Sequence, residues 1–135
     1  MDLEKKLSFE KLSKHKYFLL LLTDVSAFNT WHIGWRTTNP GKQLDLSGSY
    51  LAYADLRGAD LRGADLHESD LCFADLHGAE LDGADLRDAL LDGAKFDQAP
   101  EQLAKIRNLH HAIGIHDLRV MTVSIAMARR ELRGP

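Results

Sequence analysis

The feature that most constrains this chain is a five-residue repeat that runs without interruption from Leu44 to Gln98. An apolar residue returns at every fifth position, and a small or apolar residue, usually alanine, stands two positions before it. Internal periodicity of this kind decides a fold before local propensity does. The position that returns is called the central position, and it is occupied by Leu46, Leu51, Leu56, Leu61, Leu66, Leu71, Leu76, Leu81, Leu86, Leu91 and Phe96.

A period of five excludes both a single straight helix and a single straight strand. On an α-helix, five residues advance about 140° beyond one turn, so the leucines would spiral around the rod. In a straight strand an odd period places successive leucines on opposite faces. All central residues can point inward only if the chain turns a corner once per repeat. The corner falls two residues after the central position, where a tight bend favours glycine, and the sequence has Gly48, Gly58, Gly63, Gly78, Gly83 and Gly93 there.

These repeats resemble the pentapeptide-repeat family, whose motif is Ala-(Asp/Asn)-Leu-x-x. Ala54-Asp55-Leu56-Arg57-Gly58 is one of eleven in-frame copies between residues 44 and 98. The resemblance implies an all-β solenoid core, a right-handed quadrilateral β-helix with four repeats per coil. Eleven repeats then make just under three coils, and residues twenty apart stack on one face.

Both ends of such a solenoid need a cover, because each end exposes apolar core and unpaired backbone groups. We therefore expect an N-terminal helical cap over residues 1–43 and a C-terminal helical cap over residues 99–135, around a repeat domain at 44–98. Apolar residues spaced by three or four between Lys16 and Arg36 predict the first cap helix. Trp31 and Trp35 are expected to pack in this cap.

Two helices are predicted in the C-terminal cap. The first runs from Glu101 to Ala112 and closes the core with one apolar side. The second runs from about His116 to Leu132 and is apolar over more than half its circumference, so we predict that it forms a homodimer. The alternative is that it folds back along the solenoid of a monomer. The dimer contact is assigned to Leu118, Met121 and Ile125.

One face of the solenoid departs from the acidic pattern of the motif. It belongs to the repeats centred on Leu51, Leu71 and Leu91, and we call it the aromatic face. Large exposed apolar side chains on a water-soluble protein indicate a contact surface, so we predict that another, unidentified protein docks here. The alternative is that a helix of this same chain covers it. The docking residues are Tyr50, Tyr53, Cys72, Phe73 and Leu90.

Charge suggests a second function. The net charge is −3, but residues 44–98 hold 13 acidic and 4 basic side chains. Some pentapeptide-repeat proteins resemble B-DNA in shape and charge and bind DNA gyrase or topoisomerase IV. The resemblance therefore offers a DNA mimic as the alternative function, although under three coils make a short rod. The acidic face of this alternative contains Asp45, Asp65, Glu68, Asp85 and Asp88.

The sequence offers no catalytic pattern. Its single cysteine, Cys72, allows no intrachain disulfide, and no Cys or His pair has zinc-site spacing. The aspartates occupy the motif position and form no acid–base pair in a cleft. We expect a cytoplasmic, non-enzymatic interaction module that needs no cofactor, metal or small-molecule substrate. It is not expected to bind nucleic acid directly or to insert into a membrane.

Overall fold

Two helices precede the repeats. The computed structural model describes residues 17–96, 103–109 and 112 of the 135. Helix α1 occupies residues 17–23 of this part, and helix α2 is Val25–Thr38. Asp24 separates them and caps α2, because its carboxylate accepts a hydrogen bond from the Ala27 N–H at 3.0 Å. The predicted N-terminal helix is thus confirmed over residues 17–38 with a break at Asp24, and residues 1–16 lie outside the described part.

The repeats coil with twenty residues per turn. Parallel bridges join residues twenty apart, among them Asp45 to Asp65 and Asp65 to Asp85. The Leu46 N–H donates to the Asp65 carbonyl at 2.8 Å, and the Asp65 N–H donates back to the Leu44 carbonyl at 2.8 Å. Each side of a coil is one repeat long and pairs with the neighbouring coil through a single bridge residue. The sides are therefore too short to form longer β-strands. This pairing between residues twenty apart winds the repeats into a solenoid.

The core of the solenoid is built from the inward positions of the repeats. Every central residue from Leu46 to Leu91 is buried, and Phe96 is partly buried. The residue two before the centre points to the same side, as the period of two in extended backbone requires. It is small in almost every repeat because the coil encloses little space, and Ala59, Ala64 and Ala74 are fully buried.

Each corner combines a backbone hydrogen bond with left-handed backbone. The residue three positions after the centre donates its N–H to the central carbonyl, as Ala54 does to Leu51 at 3.1 Å. The corner residue between them has a positive φ in each of the ten described corners from Gly48 to Gly93. Six of these corner residues are glycine, so the sequence pattern located the corners correctly.

The segment after the last repeat differs from its predicted structure. A helix from Glu101 to Ala112 is wrong for residues 104–109, which form turns and one further parallel bridge, from Arg107 to Asp85. Its apolar residues are buried in the solenoid core, as part of one more rung. Their spacing of three fits a helix, and it also fits corners across which one buried residue accepts the N–H of the next, as Leu103 does from Ile106 and Leu109 does from Ala112. The buried residues are Leu103, Ile106, Leu109 and Ala112.

The amino-terminal end of the core is covered by α1 and α2. Leu21 and Phe28 are fully buried and belong to the same apolar cluster as the repeat leucines. Trp31 and Trp35 are partly buried against that cluster, which confirms that they pack in the cap. The predicted dimer helix, with Leu118, Met121 and Ile125, lies outside the described residues, so dimerisation stays a prediction.

Candidate protein-docking face

The aromatic face places three large apolar side chains at the surface. Tyr50 is 70% exposed, Tyr53 is 74% exposed and Phe73 is 52% exposed. Tyr50 stands just before its central leucine, whereas Tyr53 and Phe73 occupy corners twenty residues apart. The other two residues predicted for this face, Cys72 and Leu90, are half-buried beside them. The five predicted docking residues therefore lie on one side of the solenoid, while their role in docking stays a prediction.

Tyr53 and Phe73 are held in an unfavourable backbone conformation. Their φ angles are +62° and +58°, in the left-handed region where the Cβ approaches the following carbonyl oxygen. This conformation costs an ordinary residue about 1–2 kcal/mol, and a bulky residue there is uncommon. Glycine would avoid the cost, and it occupies most other corners of the solenoid. The two aromatic residues are therefore poor choices for folding alone.

The aromatic side chains form a stack that runs along the solenoid axis. The ring centroids of Tyr53 and Phe73 are 5.1 Å apart and their planes differ by 12°, so the predicted stacking is confirmed. Below them, a Cβ on Gly93 would lie 2.4 Å from Cδ1 and Cε1 of Phe73. The Phe73 ring therefore rests on the backbone of the next corner. Such a ring pair contributes about 0.5–1.5 kcal/mol, which offsets only part of the strain at its two corners.

The acidic residues predicted as a binding face have a structural role in the corners. Asp45, Asp65 and Asp85 stack through parallel bridges, and each carboxylate accepts the N–H of the residue two positions later, which is Ser47, His67 or Arg87. A short carboxylate in this position braces a turn.

Further hydrogen bonds hold these carboxylates, and at Asp45 the donor is the Ser47 hydroxyl. Asp65 also contacts the His67 ring at 2.6 Å, and its hydrogen bond raises the pKa of His67. Burial favours the neutral form of Asp85, but hydrogen bonds from Asn108 and Arg87 hold the pKa of that carboxyl below its usual value. Glu68 and Asp88 are not in this column, since they stand on a corner.

Comparison with known proteins agrees with the repeat geometry. The family described as pentapeptide repeats (8 copies) matches residues 43–78 and 73–99. Residues 43–99 belong to the pentapeptide-repeat family. Pentapeptide repeats imply a quadrilateral β-helix, which fits the twenty-residue coils, and the family is mostly non-catalytic. No curated protein matches the chain.

A polar cluster joins α2 to the first coil of the pentapeptide-repeat segment, and sequence reasoning missed it. Asn29 donates to the Gly58 carbonyl at 2.9 Å and accepts from the Asp60 N–H at 2.7 Å. His32 Nδ1 lies 2.6 Å from the Asp60 carbonyl oxygen, which requires the tautomer that donates from Nδ1. These groups satisfy backbone that a preceding coil would otherwise pair. The only signal in the sequence is two polar residues spaced by three on an otherwise apolar helix face.

The Asp60 carboxylate is the buried charge of this cluster. It is only 4% exposed and accepts two hydrogen bonds from Arg62, at 2.8 and 2.9 Å. Burial by itself would raise the pKa of Asp60, but Arg62 and the nearby His32 hold it below its usual value. Burial lowers the pKa of His32 despite its hydrogen bond to Asp60. Because Arg62 holds the Asp60 carboxylate, this carboxylate is not free to act as a base. The cluster instead fixes the cap to the first coil.

The chemistry of the remaining candidates is equally limited. Burial, followed by the Asp70 carboxylate, raises the pKa of the Cys72 thiol, so the thiol stays protonated at neutral pH. Among the described residues, no group of His, Cys, Asp and Glu side chains could hold a metal ion. Over the same residues, no helix combines the length and the apolar character needed to cross a membrane.

Proposed function

We propose that this pentapeptide-repeat protein is a non-enzymatic docking module whose aromatic face binds another protein. The observation that carries the proposal is the pair Tyr53 and Phe73, which are exposed and held at corners with positive φ. Strained residues gather at functional sites because another requirement outweighs their cost in stability. A binding partner supplies such a requirement, since aromatic side chains dominate the energetics of protein interfaces.

The rigidity of the solenoid also supports docking. Tyr53 and Phe73 donate their backbone N–H groups to Cys72 and Asp92 in the next coil, at 2.9 and 2.8 Å. The two side chains are therefore presented from fixed backbone, and their rings restrict each other by stacking. A surface that is already ordered loses little conformational entropy on binding. Non-catalytic function agrees with the family, which is mostly non-catalytic.

The DNA-mimic alternative has weaker support. It depends on exposed carboxylates that imitate phosphate groups, but many carboxylates of the solenoid are engaged within the chain. Asp55 pairs with Arg57 at 2.7 Å, Asp60 pairs with Arg62 at 2.8 Å, and Asp75 contacts His77 at 2.7 Å. The two arginines cancel negative charge on two faces. The acidic composition of the repeats is therefore a poor measure of the field around the molecule.

Homodimerisation is a separate proposal that depends on sequence alone. Residues 116–132 have the pattern of a helix that is apolar on two sides. Light scattering coupled to size-exclusion chromatography should give the mass of a dimer for the wild type. Met121→Asp with Ile125→Asp should give the mass of a monomer. A wild-type monomer would remove the proposal.

The docking function can be tested by affinity capture with three matched baits. The wild type is compared with the Tyr53→Gly/Phe73→Gly double variant, because glycine suits both corners and preserves the coil. Quantitative mass spectrometry should show proteins that the wild type captures and the double variant loses. An Ile33→Ser variant, which removes an exposed apolar residue of α2, is the control and should retain them. Identical captured sets for all three baits would exclude the aromatic face as the docking surface.

A further inference from the structure

The corners that carry side chains border the aromatic face. Four of the ten described repeat corners are not glycine, and their φ angles lie between +56° and +62°. Tyr53 and Phe73 form one edge of the face. Glu68 and Asp88 stand two residues before Asp70 and Leu90, so they form the opposite edge. The corners away from this face are all glycine: Gly58, Gly63, Gly78 and Gly83.

The acidic edge matters because the carboxylates around the aromatic face have no cationic partner within the described residues. The ion pairs among the described residues do not include Glu68 or Asp88 on the edge. They also do not include Asp70 or Asp92 on the face. No lysine or arginine occurs in residues 50–53, 68–73 or 88–93. Elsewhere the solenoid pairs its acids with its own cations, as in Arg62 with Glu80 at 3.0 Å and Lys105 with Asp82 at 3.7 Å.

We propose that the segment docking on the aromatic face carries basic side chains, above all arginine, next to apolar ones. This inference rests on the proposed docking function and names the chemistry of its partner. A guanidinium group suits both edges, because it stacks on the faces of tyrosine and phenylalanine and forms paired hydrogen bonds with carboxylates. Apolar side chains of the same segment would pack between the edges, over Cys72 and Leu90. Complementary charge then fixes the orientation of the segment and speeds its association.

The test uses defined peptides in place of the unidentified partner. Short fluorescein-labelled peptides alternate leucine with arginine, serine or glutamate, and binding is followed by fluorescence anisotropy and by shifts of backbone amide NMR signals. The arginine peptide should bind about tenfold more tightly than the serine peptide, as expected for one or two surface ion pairs. The glutamate peptide should bind most weakly. The shifted amide signals should come from the aromatic face and its two edges.

Two charge-matched variants locate the effect. Glu68→Gln/Asp88→Asn removes the acidic edge and should reduce arginine-peptide affinity about tenfold, the contribution of two exposed ion pairs. Glu80→Gln/Asp82→Asn makes the same charge change on another face and should leave that affinity nearly unchanged. Equal losses in both variants would mean that binding follows net charge, and the proposal of a basic partner for this edge would be wrong.

The outcomes also separate this inference from the docking function. If the serine and glutamate peptides bind as tightly as the arginine peptide, and Tyr53→Gly/Phe73→Gly abolishes all binding, the docking face stands and the basic partner is rejected. If Tyr53→Gly/Phe73→Gly changes neither the peptides that bind nor the proteins captured, both proposals fail.

Discussion

At the scale of single residues, the informative feature is where the repeat departs from glycine. A corner with positive φ suits glycine because other residues bring their Cβ close to the following carbonyl oxygen. Tyr53 and Phe73 accept that cost with side chains that are mostly exposed to solvent. Burial therefore adds little stability at these positions, and stacking of the two rings offsets only part of the backbone strain. The residues that fit the fold least well are the ones that we assign to docking.

Tyr53 offers a direct measure of corner strain. Tyr53→Ala removes the ring but keeps a Cβ at a φ of +62°, whereas Tyr53→Gly removes the ring and the strain together. We expect the glycine variant to be more stable than the alanine variant by about 1 kcal/mol, the reverse of their order inside a helix. Urea unfolding midpoints for the two variants give the comparison. An alanine variant that equals or exceeds the glycine variant would show that this corner is not strained.

Gly93 reports on the aromatic stack itself. A Cβ at this position would clash with the Phe73 ring, so Gly93→Ala must displace the ring as well as strain the corner. We expect a loss of about 2 kcal/mol in the free energy of unfolding, about half from strain and half from the lost stack. Gly58→Ala is the control, because its φ is similar at +72° and its Cβ would meet nothing within 4 Å. In a Phe73→Gly background the two substitutions should cost the same.

At the scale of elements, α2 takes the place of a coil that would precede the first one, because its side chains pair with the backbone of that first coil. A solenoid end leaves N–H and C=O groups that neighbouring coils would pair, and unpaired buried groups are costly. Asn29 carries an amide group, as the peptide unit does, and it uses its NH2 as a donor and its oxygen as an acceptor on backbone atoms of the first coil. Tyr17 continues the pattern by donating to the Asp45 carbonyl at 2.6 Å. Side chains of the cap thus extend the hydrogen bonding of the solenoid.

The contribution of this cap can be measured at Asn29. Asn29→Leu keeps the size of the side chain but leaves the Asp60 N–H and the Gly58 carbonyl without their partner. We expect it to lower the free energy of unfolding by about 1–3 kcal/mol, the cost of unsatisfied polar groups. Thr30→Ala is the control on the exposed side of α2. The Thr30 hydroxyl donates to the Ser26 carbonyl of the same helix, so its loss should change stability by less than about 0.5 kcal/mol. Equal effects would mean that the hydrogen bonds from Asn29 are replaced by water.

His32 makes the same cap sensitive to pH. Its pKa is lower in the folded protein than the ordinary value of 6.5, so the unfolded chain binds the proton more readily. The stability that depends on neutral His32 is therefore complete above pH 6.5 and is lost as the pH falls toward the lower folded-state pKa. Urea midpoints should fall more between pH 7.5 and 5.5 for the wild type than for His32→Asn. His67 has a raised pKa, so its contribution to stability grows as the pH falls. Both proteins contain His67, and the comparison between them therefore cancels its effect.

The elements also show what the sequence could and could not reveal. Leucine at every fifth position predicted the corners and the core, because both follow from the period. The stacking of Tyr53 on Phe73 also required four repeats per coil, which the resemblance to the pentapeptide-repeat family supplied. The spacing of Leu103, Ile106 and Leu109 predicted a helix incorrectly, since a spacing of three also suits another rung. The contacts of Asn29 and His32 could not be predicted from the sequence, because their partners are backbone atoms, which nearly every residue has. The strain at Tyr53 could have been noticed, since tyrosine stands where other repeats have glycine.

At the scale of the whole molecule, the question is how much negative charge the protein presents to a partner. The repeat segment is strongly acidic in composition, but its charges are distributed unevenly among the faces. Ion pairs and corner hydrogen bonds occupy the carboxylates on three faces, while the surroundings of the aromatic face keep four carboxylates without a cation among the described residues. This arrangement favours a local contact with one basic and apolar segment over a long acidic track.

The DNA-mimic alternative can be separated from docking by a supercoiling assay. A mimic must offer a rod of negative charge to the basic DNA channel of a type II topoisomerase. Here the described rungs span only about 14 Å at the usual strand spacing, and many of their acids are neutralised. We therefore expect micromolar purified protein neither to inhibit DNA gyrase nor to protect it from a quinolone, with a DNA-mimicking member of the family as the positive control. Inhibition by the wild type that survives Tyr53→Gly/Phe73→Gly would reverse this assignment, because the acidic rod would then act without the aromatic face.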